Sequence, residues 1–105
     1  PRLISSAASD VYKRQLPHID GPSVREQAQF ISSRLDVCLN KNLVSNDAYL
    51  DSGVIQGALD MIANHTDMGI SQAEIRSLIS QQIYRAEKLE SKYPGLDRII
   101  EQGRK

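Results

Sequence analysis

Apolar residues recur every three or four positions through most of this 105-residue chain, and this spacing constrains the fold more than any other feature of the sequence. Residues at such intervals lie on one face of an α-helix and pack against a neighbouring element. No segment shows the alternation of β-branched and polar residues that is typical of half-buried strands. The pattern therefore predicts an all-α fold, a small bundle of three main helices followed by a short C-terminal helix.

The first predicted helix runs from about Val24 to Asn40. Ser23 and Glu26 have the spacing of a capping box, in which the serine accepts a hydrogen bond from an early backbone N–H and the glutamate reaches back. One apolar stripe then recurs at steps of four, three, four and three residues. Its members are Val24, Ala28, Ile31, Leu35 and Cys38. A cysteine in such a stripe is expected to be a small buried hydrophobe rather than a nucleophile.

The second predicted helix runs from about Asp47 to Asn64, with Asn46 as its N-cap and Asp47 near the positive end of the helix dipole. Its apolar residues cover a wide sector. Leu50, Val54, Ala58 and Met61 form one seam, and Ile55, Leu59 and Ile62 widen it. This breadth predicts burial on two sides. Gly53 and Gly57 lie inside the helix, where each costs about 1 kcal/mol relative to alanine, and we interpret them as positions of close helix packing.

The third predicted helix runs from about Gln72 to Lys92, after a loop over residues 64–69. Ser71 and Glu74 form a second capping box. Seven apolar residues share one face of this helix: Ile75, Leu78, Ile79, Ile83, Ala86, Leu89 and Tyr93. Pro94 and Gly95 end the helix. A short helix is expected from about Leu96 to Gln102.

Residues 5–15 have the sequence SSAASDVYKRQ, which resembles the in-frame translation of a transposase-based sequencing-library adapter at all eleven positions. We therefore interpret residues 1–15 as an adapter-derived, disordered artefact and exclude them from fold reasoning. Residues 16–23 contain two prolines, a glycine and an aspartate and are expected to be a linker, which leaves residues 24–105 as the helical domain. The adapter suggests a metagenomic source, and we expect the domain to be the C-terminal part of a larger bacterial or phage protein.

Composition argues against several classes of chemistry. Lys plus Arg and Asp plus Glu are equal at 13 each, so charge alone points to neither a nucleic acid nor a membrane. His18, His65 and Cys38 are the only soft or borderline metal ligands, and none has metal-site spacing. The carboxylate pairs Asp47–Asp51 and Glu87–Glu90 are explained by capping and surface solubility. We predict a cytoplasmic protein that is not an enzyme and has no catalytic, cofactor or metal site and no membrane span.

Residues 69–78, GISQAEIRSL, resemble the turn and recognition-helix half of a helix-turn-helix DNA-binding protein. The resemblance implies a tight turn at Gly69 and buried side chains at Ile70, Ile75 and Leu78. It also implies a DNA-contacting surface, since Gln and Arg can read adenine and guanine edges in the major groove. The candidate DNA-binding residues are Ser71, Gln72, Arg76 and Ser77. The competing interpretation of these ten residues is a capped amphipathic helix after a glycine turn.

The preferred prediction is a non-catalytic helical module for protein–protein interaction or assembly. The apolar stripes of the first and third helices are long, so part of them is expected to stay exposed for a partner helix or a second subunit. The expected interaction face comprises Ile75, Ile79, Ile83 and Leu89. A DNA-binding regulator of the helix-turn-helix type, using the third helix, is the alternative.

Overall fold

A computed structural model describes residues 18–104, and this part of the chain contains four helices. The helices are α1 (Gly21–Asn40), α2 (Asn46–Asp67), α3 (Gln72–Lys92) and α4 (Leu96–Glu101). No strand occurs between residues 18 and 104. The predicted all-α fold, with three main helices and a short C-terminal one, is confirmed. The predicted artefact and disorder at residues 1–15 lie outside the described residues.

Helix α2 is central, because it packs against both α1 and α3, while α4 lies against α1 and the end of α3. The core between these helices is aliphatic. Its most buried members are Ala28, Ile31, Leu35, Ala48, Ile55, Leu59, Ile62, Ala63, Ile75, Leu96 and Ile100. Every residue of the stripe predicted on the first helix is buried, and Cys38 has no exposed surface. The predicted burial of this stripe, Cys38 included, is confirmed.

Helix α1 begins three residues earlier than its spacing predicts, and the linker prediction is wrong for residues 21–23. Asp20, not Ser23, is the N-cap: its Oδ1 accepts a hydrogen bond from the Ser23 N–H at 2.8 Å. Pro22 lies in the first turn, where a backbone N–H has no acceptor within the helix. The proline therefore costs the helix no hydrogen bond. Aspartate and serine are about equally effective as N-cap residues, and proline is favoured in the first turn of a helix.

Helix α2 also extends beyond its predicted ends. Ser45 is the N-cap instead of Asn46, and its hydroxyl oxygen accepts from the Ala48 N–H at 3.1 Å. At the other end, the residues predicted as a loop continue the helix to Asp67. The Arg25 side chain donates to Asn64 Oδ1 at 3.1 Å and to Asp67 Oδ2 at 2.7 Å. These contacts from α1 hold the last turn of α2 in place.

The prediction that α2 is buried on two sides is wrong, and so is the prediction of close packing at its glycines. The widening residues Ile55, Leu59 and Ile62 are buried, but the seam that includes Leu50, Val54 and Met61 is not. A Cβ atom built on Gly53 or Gly57 would have no neighbouring atom within 4 Å. One face of α2 therefore supplies the core, and the glycines lie where no other helix approaches.

Helix α4 is fixed from two directions. The Glu90 carboxylate accepts from the Gly95 and Asp97 N–H groups, each at 2.8 Å, and so caps the start of α4. From α1, the Arg34 guanidinium donates to the backbone carbonyls of Ile100 at 3.0 Å and Ile99 at 2.7 Å. Helix ends carry unpaired backbone groups, and these two side chains satisfy them at both ends of a six-residue helix.

Candidate interaction surface

The predicted interaction face on α3 points into the molecule. Ile75 is only 1% exposed, and Ile79, Ile83 and Leu89 are half-buried and packed against the core. The prediction that these residues form an exposed docking face is therefore wrong for Ile75, and the other three are partly covered. The physical reason is that α3 has a single apolar stripe, and packing against α2 uses it.

The candidate DNA-binding residues lie at the N-cap and in the first turns of α3, and Ser71 and Gln72 make hydrogen bonds within the chain. The Ser71 hydroxyl caps α3 by accepting from the Glu74 N–H at 3.2 Å, as its capping-box spacing predicts. Both polar groups of the Gln72 amide are bonded to the backbone of Ile19. Arg76 is half-buried and Ser77 is exposed.

An apolar stripe on α2 faces away from the core, and we call it the α2 stripe. It consists of Leu50, Val54 and Met61, which are 65%, 57% and 54% exposed, and it continues to Met68 at the C-cap, which is 79% exposed. At about 100° per residue, these four side chains fall within one narrow sector of the helix. They are four of the seven large apolar side chains that are exposed in the described part of the chain. Sequence periodicity identified this seam but assigned it to the core.

One edge of the α2 stripe is basic. Between α2 and α3 lies an open groove of about 340 Å³, whose apolar lining includes Val54 and Leu89. The α3 wall of this groove carries three cations, which we call the basic rim: Arg85, Lys88 and Lys92. On the α2 wall, Asp51 is the single acid.

Asp51 is already neutralised within the chain. It accepts a hydrogen bond from the Tyr93 hydroxyl at 2.8 Å and pairs with Lys92 Nζ at 3.1 Å. These two contacts hold the pKa of the Asp51 carboxyl below its ordinary value, and the hydrogen bond from Tyr93 has the larger effect. Lys88 lies 5.0 Å from the centre of the Tyr84 ring, and Arg85 donates to the Gln82 amide oxygen at 3.3 Å. Neither Arg85 nor Lys88 is ion-paired to an acid among residues 18–104.

The opposite edge of the stripe is acidic. A smaller groove of about 100 Å³ between α1 and α2 is lined in part by Asp36, Tyr49 and Leu50. The Tyr49 hydroxyl donates to Asp36 Oδ1 at 2.8 Å, which raises the pKa of the tyrosine. Two turns further along α2, Gln56 Nε2 donates to Asp60 Oδ2 at 2.7 Å. We call Asp36 and Asp60 the acidic rim.

The described residues offer little to metal or nucleophilic chemistry. Between residues 18 and 104, no group of three or more His, Cys, Asp or Glu side chains is placed to hold a metal ion. Cys38 is fully buried, His18 is exposed and His65 lies in the last turns of α2. None of the described helices is both long and apolar enough to cross a bilayer.

Comparison of the chain with protein-family profiles, with curated proteins and with solved structures finds no match.

Proposed function

We propose that this domain is a non-catalytic helical module for protein–protein interaction or assembly, and that its docking face is the α2 stripe. The observation that supports the proposal is the alignment of Leu50, Val54 and Met61, each more than half exposed, on the side of α2 opposite its buried face. Single exposed apolar residues are normal, but a contiguous row flanked by charges is typical of a protein contact surface. Burying it would contribute about 25 cal/mol for each Å² of apolar surface removed from water.

The proposal places the domain in the cytoplasm, within a longer bacterial or phage protein. DNA binding through α3, the alternative, has less support because Gln72 has both its amide groups engaged by Ile19. A glutamine reads adenine with the same two groups.

Site-specific photo-crosslinking tests the proposal. A benzophenone amino acid at Val54 is expected to give discrete adducts with a protein partner, and the same substitution at Val37 gives none. Val37 is an exposed valine on α1 and serves as the matched control. Asp36 faces α2, and the Val37 side chain projects from α1 about 100° further around the helix, in a different direction from Asp36. Equal crosslinking at both positions, or none at Val54, would contradict a docking role for the stripe.

A further inference from the structure

We propose that the occupant of the α2 stripe is a second copy of this chain, packed so that the two α2 helices run parallel. The inference rests on the proposed docking role of the stripe and adds the identity and orientation of the partner. It is carried by the opposite charges at the two edges of the stripe, which make the surface complementary to itself.

Symmetry turns this charge arrangement into an orientation. Two copies that pack face to face are related by a two-fold axis lying in their interface. An axis along α2 makes the helices parallel and places the basic rim of each copy over the acidic rim of the other. An axis perpendicular to α2 makes the helices antiparallel and places basic rim over basic rim. Like charges across an interface are unfavourable, so the parallel arrangement is selected.

The spacing along α2 supports the same arrangement. The outward positions 50, 54, 57, 61, 64 and 68 are separated by alternating steps of four and three residues, the heptad pattern of a two-helix seam. Leu50, Val54, Met61 and Met68 supply apolar contacts, and Gly57 allows close approach because space at its Cβ is open. Asn64 lies at the α1 edge of the seam, where its Oδ1 accepts a hydrogen bond from Arg25. The seam is about 27 Å long, at 1.5 Å per residue.

Sedimentation velocity over a concentration series gives the first test. The wild-type chain is expected to dimerise, and Met61→Asp is expected to raise the dissociation constant at least tenfold, since it buries a charge in the apolar seam, at a position outside the groove that the basic rim lines. Val37→Asp is the matched control and is expected to leave dimerisation unchanged. Far-UV circular dichroism verifies that each variant is folded. A wild-type chain that stays monomeric up to about 1 mM would overturn the inference.

Single-cysteine crosslinking tests the orientation. Cys38 is fully buried, so it is expected to stay unreactive in the folded chain. In a parallel dimer, Leu50→Cys and Met61→Cys each form a disulfide with their own counterpart under mild oxidation. In an antiparallel dimer the two variants cannot both crosslink to their own counterparts, because only a residue at the two-fold axis meets its own copy. That second pattern would overturn the inference.

Charge reversal tests the rims. Arg85→Glu with Lys88→Glu is expected to weaken the dimer several-fold, and Asp36→Lys with Asp60→Lys is expected to do the same. Combining all four changes restores opposite charges across the interface and is expected to recover most of the lost affinity. If the combined variant is weaker than either pair, the assignment of the rims is wrong.

The two proposals fail in different ways. A monomeric chain that crosslinks from Val54 to a different protein overturns the second-copy inference and leaves the interaction function standing. A monomeric chain with no adduct at Val54 removes both.

Discussion

The side-chain amide of Gln72 and the backbone of Ile19 form two reciprocal hydrogen bonds. The Ile19 N–H donates to Gln72 Oε1 at 2.8 Å, and Gln72 Nε2 donates to the Ile19 carbonyl at 3.0 Å. The two residues are 53 positions apart in sequence. The pair joins the segment before α1 to the first turn of α3, and Ile19 is itself buried at 8% exposure.

Gln72→Ala is expected to lower the free energy of unfolding by about 1–2 kcal/mol, because it removes both bonds and leaves a partly buried backbone pair unsatisfied. Ser77→Ala, at an exposed position in the same helix, is the control and is expected to change stability by less than about 0.5 kcal/mol. Urea denaturation followed by far-UV circular dichroism measures both values. Equal effects would mean that the Gln72–Ile19 pair contributes nothing to stability.

Duplex DNA is expected to bind weakly or not at all to this chain at low salt, and Arg76→Ala is expected to leave the signal unchanged. Phosphate neutralisation supplies most of the affinity of DNA-binding proteins and falls steeply as salt rises. A fluorescence anisotropy titration of labelled duplex across a salt series makes the measurement. Micromolar binding that weakens with salt and depends on Arg76 would revive the regulator alternative.

Gly53→Ala is expected to raise the free energy of unfolding by about 1 kcal/mol, since a Cβ at Gly53 meets no atom within 4 Å and alanine is the better helix former. Gly21→Ala gives the opposite result in the same chain. There the new Cβ would collide with the Asp67 carboxylate and come within 3.0 Å of the Ala63 carbonyl oxygen. Thermal and urea denaturation at low protein concentration compare the two variants, and stabilisation by both would contradict the packing described at Gly21.

Two Ser→Ala changes in and beside α2 are expected to have opposite signs. Ser52 is 1% exposed and its hydroxyl has no hydrogen-bond partner in the described part of the chain, so Ser52→Ala removes a buried polar group at little cost in volume. A gain of about 1 kcal/mol is expected. Ser45→Ala removes the N-cap of α2 and is expected to cost about 1 kcal/mol. Chemical denaturation of the two variants side by side measures the difference; a loss at Ser52 would show that its hydroxyl is stabilising.

Glu90 is expected to make the fold sensitive to acid. Burial acts to raise the pKa of its carboxyl, but the hydrogen bonds from the Asp97 and Gly95 N–H groups prevail and hold it below the ordinary 4.5. Because the pKa is lower in the folded chain, this stabilisation is complete at neutral pH and is lost as pH falls below about 4.5, through the folded-state pKa.

Glu90→Gln is accordingly expected to reduce stability at pH 7 and to flatten the loss of stability on acidification. Glu87→Gln, at an exposed position on the same helix, is the control. Denaturant midpoints measured between about pH 3 and pH 7 decide the matter. If Glu90→Gln lost as much stability at low pH as the wild-type chain does, other carboxylates would account for the acid sensitivity.

The ends of the helices show where local sequence signals suffice and where they do not. Ser71 caps α3 as its spacing predicts, because a cap is a contact between residues three apart. The end of α2 was predicted too early, because Asn64 and Asp67 are held by Arg25 from another helix. Glu90 was interpreted as a solvated surface acid, since nothing in the local pattern indicates that it caps α4.

The candidate site shows the same division. Periodicity identified both apolar faces of α2, the one with Leu50 and Val54 and the one with Ile55 and Leu59, but assigned both to the core. The apolar periodicity of α3 also predicted an exposed interaction face there, but Ile75, one of its members, is buried. The charged edges of the stripe are formed by side chains from three helices, so no single segment could have revealed them.

The sequence by itself determined that the described chain forms three long helices and a short one, and which residues of α1 face inward. Those features depend on periodicity, capping and breaker residues, which act over one or two turns. Only the tertiary structure decided which apolar face of α2 is buried. The two faces of α2 lie on opposite sides of the helix, and α1 and α3 both pack against α2, whose buried face includes Ile55 and Leu59. The face with Leu50, Val54 and Met61 therefore stays in solvent, because no element among residues 18–104 covers it.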